Sequence, residues 1–299
     1  MSNTQGNVAA TIRRVTWIGF WINAALMLLK IGFGFWGHSG ALVADGVHSL
    51  SDFATDAIVM VFVGLAYRRA DDSHPYGHGK FETLGTLLIG IALVVVAYGI
   101  GHTGVCAIVD ALHGRALPRP ELLTLPVAIL SIISKEWLYH FTKRAGANIN
   151  STVLNANAWH HRSDAISSVA TVIGVGGAIF MSEQWRVLDP IVSVIIAVFI
   201  FASAIKVCSP ALSELLERSL PADEVTRASE VIKDTPGVLS FHRLRSRRVG
   251  HSAIIDVHVR VNPDITVTAG HDIATSVEHR LRQAFSADLI TNIHIEPQK

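Results

Sequence analysis

Charge is scarce in this chain: Asp, Glu, Lys and Arg together make up 16% of its residues, against roughly a quarter in soluble globular proteins. With half of the residues hydrophobic and a mean hydropathy of +0.40, that shortage predicts a membrane protein. Neither sign of charge dominates. The 25 basic and 24 acidic residues leave a net charge of +1, which excludes a nucleic-acid binder whose affinity rests on phosphate neutralisation. Cysteine is nearly absent. Cys106 and Cys208 each fall in an apolar run, so they build neither a disulfide framework nor a thiolate metal site and are expected to pack. The first apolar run also lacks a small-residue cleavage signature behind it, so it is read as a retained span rather than a signal peptide.

Long apolar runs are what the chain has in plenty. Val15 to Trp36 is long enough to cross a bilayer, which takes about 20 helical residues. Lys30 interrupts it and needs either a partner or a route to the interface. Further spans are expected at Leu42 to Tyr67, Glu82 to Leu112, Leu122 to Phe141, Asn155 to Met181 and Ile191 to Cys208, six in all. An even number puts both termini on one side. On that side fall Arg13, Arg14, Arg68, Arg69, Lys80, Lys143 and Arg144, and on the other only Arg115, Arg119 and Arg186. By the positive-inside rule both termini are cytoplasmic. The absence of a targeting sequence favours a bacterial-type inner membrane.

The character of the chain changes after Ser209 and Pro210. We expect a six-helix membrane domain over 1–208, a connector over 209–220 and a soluble α+β domain over 221–299. In that last part the predicted elements are a helix over Ala222 to Lys233, strands over Leu239 to Arg247 and Ala253 to Val261, a helix over Thr268 to Phe285, and a strand over Leu289 to Glu296. The order αββαβ describes a small sheet with one face covered by helices.

Ionisable residues inside the apolar runs are costly and therefore informative. His48 and Asp52 stand four apart, one face of a helix, and His160 and Asp164 repeat that spacing in the fifth span. Two such faces brought together make a His2Asp2 set, four ligands of the kind zinc takes. The bland alternative is packing, with each Asp paired to a cation such as Lys30 or Lys135. Asp45 and Asp56 lie about a turn to either side and would accept from the His N–H groups or mark the ion's path; Asn157, one turn before His160, would support it. His161 points about 100° away on the helix and is not expected to ligate. Two further clusters stand outside the spans: Asp71, His74 and His78 in one loop, and His242, His258, His271, His294 and Glu296 in the soluble domain. Each is either a metal site or a solvated polar surface, and His294 and Glu296, two apart, share one strand face.

HSLSD at 48–52, HHRSD at 160–164, PYGHGK at 75–80 and the terminal IHIEP give nearly the whole chain a resemblance to the cation diffusion facilitators, homodimeric exchangers of divalent metals for protons. The resemblance implies that His48, Asp52, His160 and Asp164 form the transport site, in the zinc-preferring branch, with Cd2+, Co2+ or Fe2+ as other candidates. It further implies a loop site at Asp71, His74 and His78, and a binuclear zinc site at His242, His258, His271, His294 and Glu296. Lys80 and Glu217 match a salt bridge at the dimer contact. An intramembrane metalloprotease would instead show H-E-x-x-H, which does not occur, and would keep an open coordination position. A non-transporting sensor or scaffold with the same fold is the other alternative. The expected partners are lipid, a second copy of the chain, divalent ions and protons.

Overall fold

The computed structural model describes the backbone of residues 2–66, 71–148, 152–250, 252–286 and 288–298, with side chains inside those ranges except 2–13, 55–66, 152, 153 and 156. Among the described residues six long helices come first: α1 (Ser2–Trp36), α2 (Gly40–Ala66), α3 (Lys80–Leu112), α4 (Thr124–Asn148), α5 (Thr152–Phe180) and α6 (Leu188–Leu215). Among the described residues, four segments are long and apolar enough to cross a membrane: Arg14–Trp36, Lys80–Leu112, Asn157–Phe180 and Glu183–Leu215. In α4 the apolar pattern is broken by Lys135, Glu136, Lys143 and Arg144. α6 runs past Cys208, the expected end of the sixth span, through Pro210 to Leu215 within the expected connector. A proline inside a helix removes one N–H donor and does not have to end it. Cys106 is exposed rather than packed, and Cys208 is half-buried.

The chain divides into two compact units, one of Met1–Ala57 with Ile89–Lys206 and one of Ile58–Leu88 with Val207–Lys299. In the first, α1 and α2 cross where both are glycine. A Cβ on Gly34 would sit 2.7 Å from the Val43 side chain and 2.8 Å from its backbone nitrogen, and one on Gly46 would sit 2.7 Å from Ile31. Small residues let membrane helices approach to backbone contact, and this crossing holds Lys30 against Asp45. The N-terminus of α2 is capped twice. Ser39 Oγ accepts from Leu42 N–H at 3.1 Å, while the buried Asp189 carboxylate of α6 accepts from Ser39 Oγ at 2.6 Å and from Gly40 N–H at 2.7 Å. An anion at a helix N-terminus meets unpaired N–H groups and the positive end of the dipole. Behind the cap, Ala41, Ala44 and Val47 pack against Ala97, Val175, Val192, Ile196 and Ile200.

The second unit holds the αββαβ domain: α7 (Ala222–Lys233), β1 (Ser240–Val249), β2 (Ser252–Val261), α8 (Val267–Ala284) and β3 (Ile290–Pro297). β1 pairs antiparallel with β2, and β3 lies parallel on its other edge. The odd positions of β2, Ile255, Val257, Val259 and Val261, are buried with Ala228 and Ile232 of α7 and Val277 and Leu281 of α8. The even positions, including His258, are left for the other face by the period of two. Between His242 and Arg245 the β1 register slips, with Arg243 at φ 51°.

Truncating Leu281, fully buried, to alanine is expected to destabilise the αββαβ domain by about 2–5 kcal/mol. Val267→Ala, on the exposed start of α8, should change stability by less than about 0.5 kcal/mol. Denaturant midpoints followed by circular dichroism compare the two.

Candidate metal centres

α2 and α5 bring the membrane ligands together. His48, Asp52 and Asp164 each offer a ligand atom within 4.8 Å of the other two. His160 stands at the edge of this trio and half exposed, its Nε2 3.8 Å from Asp52 Oδ2 and its Nδ1 3.9 Å from Asp164 Oδ1. All four expected residues thus converge, three tightly and one as a bridge between the carboxylates. His48 Nδ1 and Asp52 Oδ2 are buried with no hydrogen-bond partner. Buried polar atoms left without partners are costly, and a divalent cation would satisfy both.

Lys135 Nζ of α4 lies 2.7 Å from Asp164 Oδ2, with both side chains buried. Spacing along α5 carries no information about that partner; the signal in the sequence was a lysine inside an apolar run. Of the two roles expected of Asp45, acceptor for histidine or mark on the ion's path, the structure does not show the first. Its carboxylate is 2.9 Å from Lys30 Nζ and accepts from Ser168 Oγ at 3.1 Å, while Lys30 also donates to Ser49 and Ser168. Held in that ion pair, it accepts from neither His48 nor His160. The side chain of Asp56 lies outside the described residues.

His161 turns off the ligand face as expected, yet it does not reach the surface. It is buried, with neither ring nitrogen hydrogen-bonded. With Asn157, Asn23 and Gly19 it lines a cavity of about 210 Å³ that also exposes Asp52 and His160. Asn157 therefore sits beside the site.

In the loop, Asp71, His74 and His78 also bring ligand atoms within 4.8 Å of one another. The Asp71 carboxylate accepts from Ser73 Oγ at 2.7 Å, from Ser73 N–H at 3.0 Å and from His74 N–H at 2.8 Å. The Ser73 hydroxyl, followed by the His74 N–H, holds the Asp71 carboxyl at about 2, below its ordinary 3.8. A carboxyl lowered on folding stabilises the fold above the unfolded value, and that contribution is lost as pH falls through about 2. His78 is buried with Nδ1 unpartnered, its Nε2 3.5 Å from Asp71 Oδ2.

On the open face of the sheet three histidines stand in register across the strands. His242 on β1 pairs with His258 on β2, which pairs with His294 on β3. Glu296 lies among them, 2.8 Å from His258 Nδ1, 3.4 Å from His242 Nε2 and 3.8 Å from His294 Nε2. The hydrogen bond from His258 holds the Glu296 carboxyl below its ordinary value. His242, His258 and Glu296 form the tight trio, and His242 Nδ1 is buried without a partner. Two imidazoles and a carboxylate with an unsatisfied nitrogen suit zinc or a similar borderline cation. His271 on α8 is not part of that trio. Lys80 and Glu217 form an ion pair within the chain, and Arg247 Nε joins Glu217 at 2.9 Å.

Replacing His258 and Glu296 together by alanine is expected to lower zinc stoichiometry by about one ion per protomer, since zinc takes these donors at defined places in a four-ligand shell. Calorimetric titration of the full-length protein against Val267→Ala measures it, and equal stoichiometry would remove the sheet-face site.

The cation efflux transmembrane domain model matches residues 16–216, and the cation efflux protein cytoplasmic domain model matches residues 220–298. Metal tolerance protein C1 of Arabidopsis thaliana is 35% identical over 94% of this chain and 61% of its own length, so the chain spans less than two thirds of that relative. The manganese efflux system protein MneP of Bacillus subtilis is 33% identical over 95% of this chain and 96% of its own. A solved structure of CzrB is 32% identical over 27% of this chain and 99% of that one, with a TM-score of 0.26. With the two domain models together matching nearly the whole chain, it belongs to the cation efflux family, whose members are transporters and not enzymes.

Proposed function

We propose that the protein exports a divalent metal cation in exchange for protons by alternating access, working as a homodimer. The observation that carries this reading is the trio His48, Asp52 and Asp164, drawn from two membrane helices, with His48 Nδ1 and Asp52 Oδ2 buried and without a hydrogen bond. Moving two positive charges out of a negative-inside cell costs roughly 4.6 kcal/mol per 100 mV before any concentration term, so a coupling ion is needed. Imidazole binds metal only when neutral, so a proton arriving from outside competes directly with the cargo. In the cytoplasm-facing state the neutral imidazoles and ionised carboxylates accept the ion. In the outward-facing state protonation of His48 or His160 loosens it. Six spans with cytoplasmic termini fit the distribution of basic residues, with 1–208 as the membrane domain, 209–220 as connector and 221–299 as the cytoplasmic domain. Asp71, His74 and His78, and His242, His258, His294 and Glu296, hold metal on the cytoplasmic side, and the pair Lys80 and Glu217 braces the dimer contact.

Zinc is the proposed cargo, because imidazole and carboxylate donors in a four-ligand set suit it. Manganese is the second reading. It is favoured by the two carboxylates in the tight trio, with one imidazole there and His160 at its edge, and by the likeness to a manganese efflux protein over 95% of the chain.

His48→Ala or Asp164→Ala is expected to abolish pH-driven zinc uptake into inside-out vesicles; wild-type uptake in either variant would sink the transport-site assignment. His48→Asp replaces the imidazole by a harder ligand, and should raise manganese and iron competition against zinc by about tenfold or more. Competition fluxes at a fixed pH gradient read that ratio.

A further inference from the structure

The membrane site carries a cation of its own. Lys135 Nζ is 2.7 Å from Asp164 Oδ2, both side chains are buried, and Asp164 is one of the three residues that converge on the cargo position. Nothing in a zinc or manganese coordination set calls for an ammonium group in contact with a ligand carboxylate. A buried lysine is among the costliest side chains to place inside a membrane, so its contact with this carboxylate asks for a use.

A charge count over the groups in contact gives the consequence. With neutral imidazoles, the carboxylates of Asp52 and Asp164 contribute two negative charges and Lys135 one positive, so the empty site is net negative by one. Loaded with a divalent ion it is net positive by one. The neighbouring pair Lys30 and Asp45, at 2.9 Å, is neutral and changes neither count. Without Lys135 the empty site would carry two negative charges and the loaded site none. A neutral loaded site in a low-dielectric setting is a trap: the ion has every reason to enter and little to leave.

Resting on the transport-site reading above, we propose that Lys135 is a tethered counter-cation that occupies Asp164 when the cargo is absent and repels the cargo when it is present. It sets the affinity low enough for release. Lys135 is a positioning residue in this scheme: it acts through Asp164. The cargo need not wait for Asp164 to be freed, because Asp164 Oδ1 faces His160 at 3.9 Å while Oδ2 holds the ammonium. The site accordingly takes a divalent ion of either proposed kind with a penalty built in.

The test uses the full-length protein in lipid nanodiscs and proteoliposomes, with zinc and then manganese as probes. Lys135→Met should bind the ion at the membrane site at least tenfold more tightly than wild type, and should lower maximum flux through slower release. Lys135→Arg keeps the charge and should stay within about threefold of wild type in both. A lysine that merely holds the helices together predicts the reverse, with weaker binding in Lys135→Met and no gain in affinity, and that result overturns the proposal. If Lys135→Met does not fold, wild-type protein labelled with 15N-lysine gives the same answer by infrared difference spectroscopy: addition of zinc should shift an ammonium band that Lys135→Arg lacks, and no shift overturns the proposal. Asp52→Ala is run beside each. If it leaves binding and flux intact, the transport-site reading has failed, whereas loss of both in Asp52→Ala with unchanged affinity in Lys135→Met condemns the counter-cation alone.

Discussion

The constraint on which the membrane half depends is that a carboxylate inside a low-dielectric span must be paired. Three buried acids meet it in two ways. Asp45 takes Lys30, Asp164 takes Lys135, and Asp189 takes the N-terminal N–H groups of α2 with Ser39. Removing one member of such a buried pair costs about 3–5 kcal/mol, because the other charge is then stranded. Asp52 stands apart from these three. Its Oδ2 is buried without a hydrogen bond, and so is His48 Nδ1 one helical turn away on α2. The pairing of the other acids thus isolates the position where a positive charge is wanting, and it lies between α2 and α5.

That position exists because the helices can approach closely enough. Gly34 and Gly46 remove the side chains at the α1–α2 crossing, bringing Lys30 to Asp45. Ser131 on α4 and Ser168 on α5, 3.4 Å apart, each stand one turn from Lys135 and Asp164 respectively. Ser168 also donates to Asp45. Ser168 thus hydrogen-bonds to both members of the Lys30–Asp45 pair, one turn along α5 from Asp164, where a bulkier residue would separate the helices. Polar groups hydrogen-bonded across helices add modestly to membrane packing, about 0.6 kcal/mol each on average. Their larger effect here is geometric, since they fix the registry of α4 and α5 against α2.

Much of this was legible in the sequence and some could not be. The spacing of four in HSLSD and HHRSD encodes which side chains share a helix face, so His48, Asp52, His160 and Asp164 could be named without coordinates. Pair choice between helices is not encoded in spacing. Lys30 and Lys135 could be recognised as needing partners, but which acid each would take depends on the glycine crossing and on helix rotation. For the same reason Asp45 was read as an acceptor for histidine or a mark on the ion's path, and the structure pairs it with Lys30. In the sheet, His294 and Glu296 share a face by their spacing of two, but the row His242, His258, His294 depends on register. A register slip in β1 and a parallel β3 set it, and neither has a short-range sequence signal. Helix ends were the least legible, as at Cys208, the expected end of the sixth span, past which α6 runs through Pro210 to Leu215.

The second unit shows how a strained residue earns its place. Glu217 closes α6 at φ 60°, a left-handed position that usually goes to glycine because a Cβ there costs roughly 1–2 kcal/mol. A glycine would remove that strain but also the carboxylate that receives Lys80 at the start of α3 and Arg247 on β1. Three residues earlier, Glu214 accepts from Gly250 N–H in the β1–β2 turn at 2.6 Å and from Thr83 of α3 at 2.8 Å. Gly250 in turn lies against Gly79, where a Cβ would meet backbone at 2.8 Å. Two glutamates one turn apart therefore tie the end of α6 to the start of α3 and to the hairpin, and the backbone contact leaves no room for the loop holding His78 to slide. Carboxylates can do this where apolar packing could not, because each accepts from two elements at once. The strain at Glu217 is the local expense of a joint in which loop, helix ends and hairpin are held by the same few groups.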